Sequence, residues 1–150
     1  MIGRVHGFPA SKGEYEVDVD KLRLQIDVIH DFLAQSYWAM NIPRDVVERS
    51  IAGSDCYGIY RGDEQVGFAR VVTDRTRFAF ISDVFVLDEH RGNGLGKWLV
   101  GLILGREDYQ KIGGWLLSTN DAHGLYSQFG FKGADPSRLM SLSRSSPWSP

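Results

Sequence analysis

The sequence predicts an α+β fold, a mixed and mostly antiparallel sheet flanked by helices, and three observations carry that prediction. Three extended segments follow one another across tight turns between Cys56 and Leu87. A helical repeat starting at Leu95 separates the last of them from the short apolar run Trp115-Leu116-Leu117-Ser118, so the strands on either side of that helix should run parallel. Two helical segments precede the three strands and another closes the order.

Taken in sequence, residues 1–13 show no period and carry Gly3, Gly7, Pro9 and Gly13, the signature of an irregular arm. Tyr15, Val17 and Val19 alternate with acidic residues, which reads as a half-buried strand. Ile29, Phe32 and Leu33 stand at helical spacing after Asp27, a natural N-cap, and place a helix over 27–36. A second helix carrying Val46, Val47 and Ile51 follows Pro43, a residue suited to a first turn. Strands are expected at 56–61, 65–73 and 77–87, with turns at Arg61-Gly62-Asp63-Glu64 and Asp74-Arg75-Thr76. Leu95, Trp98, Leu99, Leu102 and Ile103 give a helix to about Glu107, and a further helix is expected from about Asp121 to Phe129, stopped by Gly130. Phe131 and 138–142 are candidates for final strands, and 144–150 reads as a frayed tail.

A chain of 150 residues fits one domain with its own core, 1–150. With 17 Lys and Arg against 19 Asp and Glu the net charge is -2, so no global field draws the protein to nucleic acid or an anionic membrane. No apolar run reaches a membrane span. The lone Cys56 excludes an intramolecular disulfide and, with no signal-peptide pattern, points to the cytoplasm.

The segment that carries chemistry is Arg91-Gly92-Asn93-Gly94-Leu95-Gly96, between a strand and a helix. Backbone N–H groups at a helix start, freed of Cβ atoms by glycine, suit a pyrophosphate, and Arg91 and Lys97 add positive charge. A P-loop is excluded because Arg91 stands where its first glycine belongs and Trp98 where Ser or Thr should follow Lys97. The dinucleotide fingerprint is excluded because its third glycine would fall on Lys97 or Leu99. Taken alone, the loop is also compatible with a plain tight turn.

The pattern Arg-x-x-Gly-x-Gly, set in Asp83 to Gly96, resembles the acetyl-CoA-binding motif of the GNAT superfamily of N-acetyltransferases. A second segment, Leu117 to Phe131, resembles that family's other cofactor element, in which a strand end and a short helix deliver a Tyr before a Gly-Phe stop. The resemblance covers roughly residues 14–143, and Tyr37-Trp38-Ala39 with Ile42-Pro43-Arg44 resemble a subset of small bacterial members. It implies the GNAT fold and acetyl-CoA as co-substrate, held by Arg91, Gly92, Asn93, Gly94, Leu95, Gly96 and Lys97. The backbone of Val84, Phe85 and Val86 would pair with the pantetheine arm like an added strand. Tyr126 would protonate the departing thiolate; on spacing alone it reads rather as a packed helix residue, and the motif match reverses that reading. Where the family usually has Asn, this chain has Thr119, with Asn120 beside it, and either can bond the pantetheine amides.

An amine acceptor must lose a proton before it attacks, and Asp83 is the best-placed base, or else a structural carboxylate. Strand alternation puts Ser82 and Asp83 on opposite faces. Tyr37 and Trp38 either border the acceptor site or anchor the first helix. His123 reads as a surface or capping residue, Cys56 as a buried hydrophobe, and no His/Cys spacing implies a metal. The expected partners are acetyl-CoA and an amine acceptor, with a homodimer left open. Three readings compete: acetylation of a small-molecule amine, acetylation of a protein lysine or N-terminus, and a CoA-binding regulatory module without turnover.

Overall fold

A computed structural model describes residues 5–145, 147 and 148. The strands are β1 (Ala10–Lys12), β2 (Tyr15–Asp18), β3 (Asp55–Arg61), β4 (Glu64–Thr73), β5 (Phe78–Val86) and β6 (Gly114–Leu116), and the helices α1 (Ile26–Ala34), α2 (Arg44–Ala52), α3 (Leu95–Leu104) and α4 (His123–Ser127). All six strands form one sheet in chain order. The first four pairings are antiparallel, and β5 with β6 is parallel, as the crossover through α3 requires.

Period-two patterning divides the core. Tyr57, Ile59, Val71, Ala79 and Ile81 face Leu95, Leu99 and Ile103 of α3, whereas Cys56, Phe68 and Phe85 face Ile29 and Leu33 of α1 and Val47 and Ile51 of α2. The C-terminal end of α3 is tied to β3 by a buried polar cluster. Arg106, 3% exposed, donates to the Tyr57 hydroxyl at 2.9 Å and to both oxygens of Asp108. Each nitrogen of the buried guanidinium thus has an acceptor, and the relay continues as Tyr57 donates to Tyr109 at 2.9 Å and Tyr109 to Asp55 at 2.5 Å.

Several expected boundaries shift. The arm is not wholly irregular, because residues 10–12 pair with 15–17 of β2 as an edge strand. Asp27 lies in the first turn of α1 rather than at its N-cap, which is Gln25, and pairs instead with Arg44. Pro43 is the N-cap of α2. α3 ends at Leu104, before Gly105, and a 3-10 turn at Glu107–Tyr109 follows. β6 and α4 are shorter than the patterns suggested, and Gly130, at φ +94°, supplies the left-handed stop. No final strands form at Phe131 or 138–142: Asp135 accepts from the N–H and hydroxyl of Ser137, its carbonyl from Arg138 and Leu139, and the resulting turn leaves Met140 98% exposed. Of the expected tail, Trp148 is half-buried against the α1/α2 cluster, while Ser146, Ser149 and Pro150, like residues 1–4, lie outside the described residues.

Gly67 of β4 leaves no room for a side chain between β3 and β5. A Cβ there would stand 2.7 Å from Ile59 Cδ1 and 2.9 Å from the Phe85 carbonyl oxygen. Gly67→Ala should therefore destabilise the fold by about 1–3 kcal/mol, read in thermal denaturation as a melting temperature lower by roughly 2–4 °C per kcal/mol.

Candidate active site

β6 pairs with β5 only at Phe78, Ala79 and Phe80. Beyond Phe80 the two strands part, and the edge of β5 from Ile81 to Val86 that faces away from β4 has no strand beside it. The wedge between them is a cleft of about 290 Å³, lined by residues 80–84 of β5, by Leu117, Ser118, Thr119, Asp121 and Ala122 after β6, by Tyr126 of α4, and by Tyr37 and Trp38. A second concavity, of about 460 Å³, lies against Val5, His6, Glu107 and Asp108, away from every residue of the expected site.

The floor of the cleft is shaped by a bulge. Phe68 opposes Phe85 and Arg70 opposes Ser82, so two residues of β5, Asp83 and Val84, stand against Ala69 alone. Asp83 takes up the extra residue with φ +55°, a left-handed conformation that Asp tolerates better than most residues. The bulge overturns the expected alternation of Ser82 and Asp83. Both side chains reach Arg70, whose Nε donates to Asp83 Oδ2 at 2.6 Å and whose Nη2 donates to Ser82 Oγ at 3.4 Å. Nη1 of the same guanidinium donates to Ser54 Oγ at 3.0 Å. Arg70 was not singled out from sequence, though a lone Arg inside the apolar run Val66 to Val72 was a usable signal.

Tyr37 and Trp38 belong to a strap between α1 and α2 that touches both walls of the cleft. Trp38 Nε1 donates to Asp83 Oδ1 at 2.9 Å on the β5 side. On the other side the Tyr37 hydroxyl accepts from the backbone N–H of Asn120 at 3.2 Å. The two rings pack edge to face with centroids 5.0 Å apart, and Trp38 also contacts Phe32 of α1, so bordering the cleft and anchoring the helix are compatible. Thr119 Oγ1 accepts from the N–H of Ala122 at 3.0 Å and shapes the turn into α4. Thr119 lines the cleft; Asn120 meets it only through Tyr37.

Tyr126 is 7% exposed, its ring edge-on to Phe131 at 5.9 Å. Burial, with Tyr37 and Asp121 nearby, pushes its phenol up to about 12, so the hydroxyl keeps its proton throughout the neutral range. By contrast Cys56 is buried and its thiol is pushed up to about 11 by desolvation, which leaves it a hydrophobe rather than a nucleophile. His123 opens α4, and among the described residues no cluster of three His, Cys, Asp or Glu side chains could hold a metal.

The glycine loop stands at the far end of β5. Gly92 and Gly94 have φ of +84° and +72°, and Gly94 is the N-cap of α3. No side chain caps this helix and no acidic residue occupies its first turn, so its leading N–H groups are open to an anion. The Asn93 side chain turns back to the His90 carbonyl at 3.0 Å, and Arg91 donates from Nε to the Val86 carbonyl and pairs with Asp88 at 3.1 Å. Lys97 is exposed on the first turn of α3.

The acetyltransferase (GNAT) domain family matches residues 52–133, more than half of the chain. The chain belongs to the GNAT acetyltransferase family. A GNAT-family protein from Xanthomonas campestris pv. campestris is 40% identical and superimposes with a TM-score of 0.86 over 90% of this chain and 96% of its own. A provisionally named acetyltransferase of Gibberella zeae is 29% identical, over 81% of each chain. The GNAT acetyltransferase of Elizabethkingia anophelis, solved with acetyl-CoA bound, is 14% identical and shares the fold alone, with a TM-score of 0.64 over 83% of this chain and 80% of its own. The GNAT fold and an acetyltransferase with acetyl-CoA as co-substrate follow from that membership. Among the described residues no helix is long and apolar enough to cross a membrane.

The raised Tyr126 phenol can be titrated directly. In ultraviolet difference titration, burial raises both Tyr57 and Tyr126 to about 12, and Tyr126→Phe should remove one of these two late-ionising tyrosines while Tyr57 remains. Because the folded value lies above the ordinary value near 10, Tyr126 favours folding fully below about pH 10 and progressively less above it.

Proposed function

We propose that this GNAT protein transfers the acetyl group of acetyl-CoA to a primary amine of a small molecule by direct attack, with Tyr126 as the general acid. The observation that carries the reading is a protonated, buried tyrosine lining a cleft whose other wall is the unpaired edge of β5. Along that edge the backbone of Val84, Phe85 and Val86 would receive the pantetheine arm as an added strand, and one N–H would polarise the thioester carbonyl. The Val86 carbonyl already accepts from Arg91, so the N–H groups are the main offering there. At the loop, Gly92, Asn93, Gly94, Leu95, Gly96 and Lys97 would hold the phosphates at the uncapped start of α3, with Arg91 above them. Thr119, and Asn120 through its peptide, would hold the opposite side of the arm.

The acceptor would enter beside Tyr37 and Trp38. A strap bonded to both walls narrows the cleft mouth, which favours a small amine over a protein segment. As the neutral amine attacks the thioester carbon, the C–S bond breaks, the Tyr126 hydroxyl delivers its proton to the leaving sulfur, and the proton shed by the amine nitrogen passes through water, which returns one to the Tyr126 phenolate. For Asp83 the hydrogen bonds support the structural one of the two roles open in the sequence. Both oxygens already accept hydrogen bonds, from Arg70 and Trp38, so a proton could be taken only at lone pairs turned elsewhere. The arrangement suits Asp83 to hold the bulge and the strap rather than to collect the amine proton.

Thiol release from acetyl-CoA with an amine panel tests the reading. Tyr126→Phe should lower kcat by roughly 10²-fold or more while CoA affinity changes little; equal loss of both contradicts the acid role. Tight CoA binding with no amine-dependent release would instead support a regulatory module.

Asp83→Asn keeps the shape and the left-handed tolerance of Asp83 while removing its charge. It should lower kcat by less than about ten-fold and leave the pH profile in place. A loss of general-base size, roughly 10²-fold or more, would restore Asp83 as the base.

A further inference from the structure

The first hairpin reaches the glycine loop. Lys12, the last residue of β1, extends its ammonium to within 3.4 Å of the point where a Cβ on Gly94 would stand. Its position is set from two sides. Lys12 is paired with Tyr15 across the β1/β2 turn. The Tyr15 hydroxyl lies 3.0 Å from His90 Nδ1, with the two rings edge to face at 5.8 Å. The His90 carbonyl in turn accepts from the Asn93 side chain. Hairpin tip, His90 and glycine loop therefore form one connected unit.

The charge balance at the loop is one-sided. Arg91 has Asp88 as counter-ion, but among the described residues Lys12 makes no ion pair and no side-chain hydrogen bond. The helix start beside it has neither a side-chain cap nor a first-turn carboxylate. An ammonium and a row of free N–H groups that converge on one glycine are complementary to a doubly ionised diester bridge.

We propose that Lys12 is a ligand of the coenzyme A pyrophosphate, delivered to the glycine loop by the β1/β2 hairpin. The proposal rests on the acyl-CoA reading of that loop. It assigns a binding role to a segment whose sequence carries no phosphate motif, and it makes the Tyr15–His90 contact the element that positions the ligand.

Calorimetric titration of the full chain with coenzyme A and with dephospho-coenzyme A, which keeps the pyrophosphate and lacks the 3′-phosphate, is the test. Lys12→Met should raise the Kd for both by the same factor, roughly ten-fold, the size of one charge-assisted contact. Lys12→Arg should recover most of the affinity. Lys111→Ala, beyond the opposite end of α3, should bind as wild type does. Because Lys12 is exposed, melting temperatures should not move. Unchanged affinity in Lys12→Met overturns the proposal. A loss confined to coenzyme A overturns it in favour of the 3′-phosphate. Failure of wild type itself to bind either ligand removes the acyl-CoA reading beneath it, an outcome distinct from the other two.

Discussion

Three residues of parallel pairing, Phe78 to Phe80 against Gly114 to Leu116, hold β5 and β6 together, and the rest of the site depends on their being so few. Parallel pairing forces the chain through α3, which brings the glycine loop to the end of β5. Where pairing stops, backbone donors and acceptors along β5 lose a neighbouring strand without losing their place in the sheet, because β4 still pairs on the other side. Rigidity on one edge and vacancy on the other is the condition for recognising an extended ligand as a strand.

The bulge at Asp83 works on the same strand for a different purpose. It switches the parity of β5, so that Ile81 and Val84, three residues apart, both face the α3 layer. Ser82 and Asp83 are thereby left together on the α1/α2 side, where Arg70 meets both. Asp83 also receives Trp38, which ties the strap to the strand. One left-handed residue thus connects sheet register, a partly buried ion pair and the cleft mouth.

The two halves of the proposed site rely on different physics. Tyr126 depends on desolvation: burial against Phe131 keeps a phenol neutral where a solvated one would be easier to ionise. The glycine loop depends on exposure, since its N–H groups serve an anion only if no side chain caps them. Tyr126 lines the cleft beside residues 80–84 of β5, and the glycine loop follows the end of the same strand.

Much of this was legible in the residues. Period-two and helical spacings located nearly every element, and their order implied the parallel pair, because side-chain direction follows local backbone geometry. The spacing of Arg91, Gly94 and Gly96, with Tyr126 downstream, marked both ends of the proposed site, since a helix start and a short helix are local structures. What the residues could not disclose were contacts between segments distant in sequence. The Asp83 bulge is a mismatch between two strands, Arg70 finds its partners only across that mismatch, and Lys12 lies 82 positions from Gly94. The final strands failed for the same reason: a pattern in 138–142 proposes a strand, but only a neighbouring edge can accept it, and a turn at Asp135 left that segment exposed. Local spacing determined the elements and the motif; tertiary packing decided register, bulge and the company each charged side chain keeps.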